Sequence, residues 1–231
     1  MPVYDWEGWL RDWNAMLLGG DPEPDTAEPH VTAEILASGW LGAPGATEEQ
    51  VAAVETRLGV PLPPSYRSFL LTSNGFLQPT NLVPRLLSTD EVDWFSARHQ
   101  DVINAWSLGV RLGGSAANDP ASFEHYLPTA LQVSEIEHGG TAVYLLNPRV
   151  VDESGEWEAF YFAHWIPGVV RFPSFSALME EEMSNWEQST EPMPPGAAGA
   201  AETHSDVKTW WETVRWIFGG KGSGTAGARG P

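Results

Sequence analysis

The chain has 231 residues, 42% of them apolar, with twelve tryptophans, no cysteine, and a formal net charge of −19 from 31 acids against 12 bases. This is enough apolar material for one sizeable domain with appendages, or two small ones, and it excludes a wholly disordered chain. The missing cysteine rules out disulfides, thiolate metal sites and cysteine nucleophiles, and the acidity argues against direct binding to nucleic acid or an anionic membrane, both of which need a basic surface.

The opening MPVYDWEGWL is acidic and lacks the basic region and apolar run of a signal peptide. No apolar run approaches the roughly 20 residues needed to span a bilayer. The expectation is a soluble cytoplasmic protein. Charge is uneven: residues 1–30 carry seven acids and one arginine, and residues 172–207 carry seven acids and no base.

Residues 4–18 read as an amphipathic helix, because Trp6, Trp9, Leu10, Trp13 and Leu17 recur at helical spacing. The stripe either packs on its own domain or presents a docking face. Gly19-Gly20 stop it, and the Pro- and acid-rich segment 21–30 reads as a linker. Val31–Ser38 reads as a short helix. Thr47 and Gln50 have capping-box spacing and open a helix whose buried stripe is Val51, Val54 and Leu58. Gly59 suits the left-handed position that ends it. Pro63-Pro64 cannot continue a helix but can begin one, with Tyr66, Phe69 and Leu70 on its apolar face and Asn74-Gly75 at its exit.

Leu82–Leu87 then reads as a short strand. Ser88 and Glu91 form a second capping-box pair opening a helix through Arg98, with Val92 and Phe95 inward. Asp101–Leu108 reads as helical and Gly109–Ser122 as a loop. The period then changes. Leu131–Glu137, Thr141–Asn147, Glu156–Trp165 and Val169–Phe172 are rich in β-branched and aromatic residues, and turn signals separate them, including His138-Gly139-Gly140, Asn147-Pro148 and Pro167-Gly168. Short connections predict an antiparallel meander. Ser174 caps a closing helix with Phe175, Leu178, Met179 and Trp186 on one face and Glu180–Glu182 on a solvated one. Residues 189–201 read as linker, Val207–Phe218 as a last tryptophan-rich helix, and the glycine-rich end as disordered. The predicted fold class is α+β: an antiparallel meander of about four to six strands packed with N-terminal helices and a closing helix.

The run Leu58-Gly59, Leu62-Pro63, Tyr66, Phe69-Leu70 and Asn74-Gly75 resembles the opening signature of the SUKH superfamily, which contains fungal cell-wall-assembly regulators and many bacterial immunity proteins. The resemblance extends over about residues 46–187, leaving 1–45 and 188–231 outside as helix-plus-linker segments. One departure is Gly140-Thr141, where the family often has Gly-Asp. The resemblance implies a domain that works by binding, with no cofactor and no metal. Its expected partner is a protein, in particular a basic toxin domain such as a nuclease, and the excess negative charge suits electrostatic steering toward it. A regulatory or scaffold protein of the fungal type is the alternative, and an uncharacterised enzyme the remote one. The sequence does not set the oligomeric state.

No catalytic or metal signature competes with this reading. The six histidines lack metal-ligand spacing, and no nucleophile elbow, P-loop or dinucleotide fingerprint is present. The candidate partner-binding residues are Asp152, Glu153, Glu156, Trp157, Glu158, Tyr161 and Trp165, aromatics among acids as in an interface hot spot with a charged rim. The competing reading makes the alternate aromatics core and the acids solvent-facing. A second candidate is the acidic helix face Glu180–Glu187.

Overall fold

The computed structural model describes residues 4–19, 32–78, 83, 85–113, 123–136, 142–163 and 169–190. Several expectations fall outside these residues: the linker at 21–30, the turns at 138–140 and 167–168, Glu137, Gly140-Thr141, Trp165, the linker beyond 190, the helix at 207–218 and the glycine-rich end. The chain divides into two units at Met183/Ser184, and the architecture below is that of the first.

Helix α1 (Trp6–Gly19) buries Trp6, Leu10, Trp13 and Leu17, so its stripe packs within the unit. The Trp6 indole N–H donates to the Ser65 carbonyl at 2.8 Å, and the Trp13 N–H donates to Gln78 Oε1 at 3.2 Å. A short helix α2 (Ala33–Ser38) follows. In α3 (Glu48–Leu58) both halves of the capping box form: Gln50 N–H to Thr47 Oγ1 at 3.2 Å and Thr47 N–H to Gln50 Oε1 at 2.8 Å. Gly59 closes α3 at φ 74°, in the left-handed region that only glycine enters without strain. Helix α4 (Pro64–Thr72) starts with Pro64 at its first position, where the absent N–H costs nothing.

Two short strands, β1 (Phe76–Leu77) and β2 (Arg85–Leu86), pair antiparallel. Bridges Gly42↔Phe76 and Leu86↔Ser134 extend the pair on both sides. The main sheet has the order β3 (Asp93–Trp94), β4 (Leu131–Gln132), β5 (Ala142–Val151), β6 (Trp157–Ala163), β7 (Val169–Phe172), every neighbour antiparallel. Between β3 and β4 lie α5 (Phe95–Arg98), α6 (Gln100–Gly113) and two 3-10 turns. Helix α7 (Phe175–Thr190) closes the α+β arrangement. Its start is capped by the Ser174 hydroxyl, which accepts from Ala177 N–H at 3.1 Å.

The sheet is buried on both faces. Val143, Leu145, Phe160 and Phe162 pack with Phe95, Ile103, Phe123, Leu127 and Ala130 on one side. Tyr144 and Tyr161, paired across β5 and β6, are as deeply buried on the other. There a ring cluster joins three helices. Phe175 lies 5.0 Å from Tyr66, 5.3 Å from Phe69 and 5.4 Å from Trp6, centroid to centroid.

Four boundaries differ from the sequence reading. Only one half of the Ser88–Glu91 box forms, Ser88 N–H to Glu91 Oε2 at 3.1 Å, while the Ser88 hydroxyl donates to the same carboxylate; no helix starts there, and a turn leads into β3, because Asp93 and Trp94 pair with Gln132 and Leu131. Helix α6 runs on through Gly109 to Gly113. The strand expected over Leu131–Glu137 shortens to two residues, and β5 continues past Asn147-Pro148 to Val151.

Tyr66 is wholly buried, and its hydroxyl has no hydrogen-bond partner among the described residues. Its contribution is therefore ring packing. Tyr66→Ala should lower unfolding free energy by roughly 3–5 kcal/mol, whereas Tyr66→Phe should change it by less than about 1 kcal/mol. Urea unfolding of both variants checks this, and a large loss in the Phe variant would assign the energy to the hydroxyl instead.

Candidate functional site

The predicted partner-binding segment forms the β5–β6 hairpin. Pairing runs regularly from Ala142↔Ala163 to Asn147↔Glu158 and then shifts before Val151↔Trp157. The shift falls at Pro148, which has no N–H to give a ladder. Asn147 bridges the irregularity: its Oδ1 accepts from Arg149 N–H at 3.1 Å, and its Nδ2 donates to Glu158 Oε2 at 3.0 Å. At the tip, Asp152 Oδ1 accepts from Ser154 N–H, the Ser154 hydroxyl and Glu156 N–H at 2.7–2.9 Å. These donors, the Ser154 hydroxyl first, hold the Asp152 carboxyl below its ordinary pKa. Gly155, at φ 87°, turns the chain.

The structure separates the seven proposed contact residues. Trp157 and Tyr161 are 5% and 1% exposed and point into the core, so neither ring lies on a surface that a partner can touch. Glu156 reaches back to the start of α4, accepting from Ser65 N–H at 2.8 Å and the Ser65 hydroxyl at 2.7 Å. A carboxylate there satisfies a free amide and meets the positive end of the helix dipole. Glu158 bonds Arg171 at 2.9 Å, and the Arg171 guanidinium lies 5.1 Å from the centre of the Phe160 ring. Asp152 shapes its own turn, Glu153 is exposed, and Trp165 lies outside the described residues. The tip instead exposes Val150 (39%) and Val151 (51%). Sequence reading passed over both because Asn147-Pro148 looked like the end of the strand.

The second candidate also divides. Glu180 and Glu181 are exposed, and Glu180 accepts from the Tyr4 hydroxyl at 2.9 Å. Glu182 does not share their solvated face. The residue as a whole is half-buried, but its carboxyl lies inward against Tyr144 on the buried sheet face, and burial pushes its pKa up to about 7. The Tyr144 hydroxyl faces that carboxyl without a hydrogen bond of ordinary geometry, and burial also raises its pKa.

A different feature emerges beside the signature. Leu58, Leu62, Pro63, Tyr66, Phe69 and Leu70 are buried, but Asn74 and Gly75 line an open cleft of about 200 Å³. One wall is Ile35 with Trp40–Ala43, the floor is Asn74–Leu77, and the other wall carries Arg85, Leu86, Ser88 and Glu91. Asn74 Oδ1 accepts from Thr89 N–H at 2.8 Å. Gly75 sits at φ 99°, and a Cβ there would come within 3.1 Å of the Leu86 carbonyl oxygen. On the far wall, Arg85 forks onto both Glu91 oxygens at 2.7 and 2.8 Å and donates to Glu135 at 2.7 Å. Glu91 also accepts from Ser88 N–H and its hydroxyl. Together these hold its pKa down to about 2, the Arg85 bond contributing most.

Six arginines of the described region have side-chain hydrogen bonds, four to carboxylates and two to backbone carbonyls. Arg11 pairs with Glu7, Arg67 with Glu48 and Glu55, Arg85 with Glu91 and Glu135, and Arg171 with Glu158. Arg57 donates to the Val92 and Thr89 carbonyls, and Arg98 to the Glu91 carbonyl. Exposed acids at Asp12, Glu34, Glu49, Asp90, Glu153 and Glu181 are left to set the surface potential. Among the described residues no group of three or more His, Asp or Glu side chains is placed to hold a metal ion, and no helix is long and apolar enough to cross a membrane.

The family model described as SMI1 / KNR4 family (SUKH-1) matches residues 45–181. No curated protein matches the chain.

Two outcomes are expected from these carboxylates. Glu156→Ala should cost about 0.5–2 kcal/mol, the usual range for a lost helix cap, and speed amide exchange in the first turn of α4, while a variant at exposed Glu153 should do neither. For Glu182, burial raises the folded pKa to about 7 from an ordinary value of 4.5, so the folded state binds the extra proton in that interval. Stability should therefore fall as pH rises from about 4.5 through 7. Glu182→Gln should flatten this fall and gain up to about 3 kcal/mol at pH 8; urea unfolding at pH 5 and pH 8 checks it.

Proposed function

The chain belongs to the SMI1 / KNR4 family (SUKH-1), and on that premise we propose that it is a non-enzymatic, cytoplasmic binding protein that neutralises a basic toxin domain by direct contact. The observation that carries this reading is the one-sided surface charge. The net charge is −19, from 31 acids against 12 bases, and Arg11, Arg67, Arg85 and Arg171 are each paired with a carboxylate, so the exposed acids outnumber the bases that could offset them. Such a surface repels phosphates and draws in a cationic protein. A toxin that must approach nucleic acid carries the complementary surface.

The regulatory or scaffold reading drew on tryptophan-rich ends as docking elements. Trp6 and Trp13 are buried within their own unit, which removes the first of those ends as a support. Both readings share the family, so the partner decides between them. Affinity capture from the native host, with inspection of neighbouring reading frames, should yield a basic, toxin-like protein. Capture of envelope-assembly or signalling proteins, with no toxin-like neighbour, would count for the regulator. The association rate with the captured toxin should fall steeply as ionic strength passes the physiological range, where the screening length is about 8 Å; a salt-insensitive rate would remove the charge argument.

A further inference from the structure

We propose that Asn74 is a site of spontaneous modification, where the Gly75 backbone nitrogen displaces the side-chain amide, and that Ser73 is the latch that slows it. Asn74-Gly75 is the one Asn-Gly pair in the chain. The Gly75 nitrogen, having lost its proton to base, bonds to Asn74 Cγ; the Cγ–Nδ2 bond breaks and ammonia leaves. Water then opens the cyclic imide. Attack at Cγ gives aspartate in the original chain, and attack at the backbone carbonyl carbon gives isoaspartate, with the chain rerouted through Cγ. Water is the only co-reactant, and no electron is transferred. Glycine permits the reaction because no Cβ shields its nitrogen. The fold also requires glycine at 75, since φ is 99° and a Cβ would come within 3.1 Å of the Leu86 carbonyl oxygen.

The electrophile is ready and the nucleophile is withheld. Asn74 Oδ1 accepts from Thr89 N–H at 2.8 Å, which draws electron density from Cγ and stabilises the oxygen as charge develops on it. Asn74 is half-buried and lines the open cleft, so water reaches it. Gly75, by contrast, is buried. Its N–H donates to the Ser73 carbonyl at 2.9 Å. Its carbonyl accepts from the wholly buried Ser73 hydroxyl at 2.6 Å and from Ala43 N–H at 3.2 Å. The nitrogen must leave this arrangement before it can be deprotonated and turned onto Cγ. Reaction therefore runs through local opening, and its rate follows the population of the open state. The two products differ in consequence. Aspartate keeps an acceptor for Thr89 N–H. Isoaspartate adds an atom to the main chain just ahead of the Phe76↔Leu86 pairing and unseats β1.

The test incubates the full chain in mildly alkaline buffer, native and in urea, and maps its peptides by mass. Asn74 should gain one mass unit before any other asparagine does. Conversion should be about tenfold to a hundredfold slower in the native protein than in urea. Ser73→Ala frees the Gly75 carbonyl and should speed both native conversion and Gly75 amide exchange about fivefold, the weight of one ordinary hydrogen bond. Its rate in urea should match that of the wild type. Asn74→Gln should remove the gain at this position. Earlier conversion elsewhere, equal native and unfolded rates, or a native protein unconverted after about a hundredfold the time the unfolded chain needs would overturn the assignment. So would a folded Ser73→Ala protein with an unaltered rate. If Ser73→Ala does not fold, the wild type decides: conversion and Gly75 exchange should rise together in low urea, and divergence of the two would sink the latch.

Discussion

Four rings set the frame on which everything else hangs. Trp6, Tyr66, Phe69 and Phe175 come from three helices that open, follow and close the sequence of the unit, and all are 1% exposed or less. Their centroids lie 5.0–6.1 Å apart in tilted, edge-on and stacked contacts, geometries that aromatic quadrupoles favour. The Trp6 N–H is spent on Ser65 and Ser68 of α4, so the cluster is anchored in direction as well as filled. With α1, α4 and α7 fixed to one another, the buried tyrosine face of the sheet has a lid, and the antiparallel meander is covered on both sides.

The sequence disclosed most where the controlling chemistry is local. Thr47, Gln50 and Gly59 bracket α3 within one turn of either end, and Pro64 marks the start of α4, so those boundaries follow from caps alone. It misled where a distant partner outbid a local signal. Ser88 and Glu91 have the spacing of a helix start, but Arg85 claims the Glu91 carboxylate and β4 claims Asp93 and Trp94. Asn147-Pro148 has the composition of a turn, but the proline sits where the ladder shifts register and the asparagine side chain mends the gap. Gly109 looks like a breaker inside α6, yet a single glycine costs a helix only about 1 kcal/mol, which the helix tolerates.

The same logic governs the acids. Composition shows their number but not their employment. Glu156, Glu158 and Glu91 look alike in sequence, and each is committed to a named donor tens of residues away or across a turn. Glu182 is indistinguishable in sequence from Glu181 but points at a buried tyrosine. What could have been found earlier is the cleft. Trp40 lies between two glycine positions ahead of the signature, and the exit Asn74-Gly75 forms its floor. The signature thus contributes to a surface as well as to a scaffold.

The carboxylate that caps α4 comes from 91 residues further along the chain. No segment ending before the hairpin contains it, so a nascent or truncated chain holds α4 with its first turn unsatisfied. Closing that loop costs entropy that only the assembled sheet repays. In the two helices that read most clearly as a self-contained motif, the start of the second is therefore completed by a residue from one of the later parts of the domain to be made.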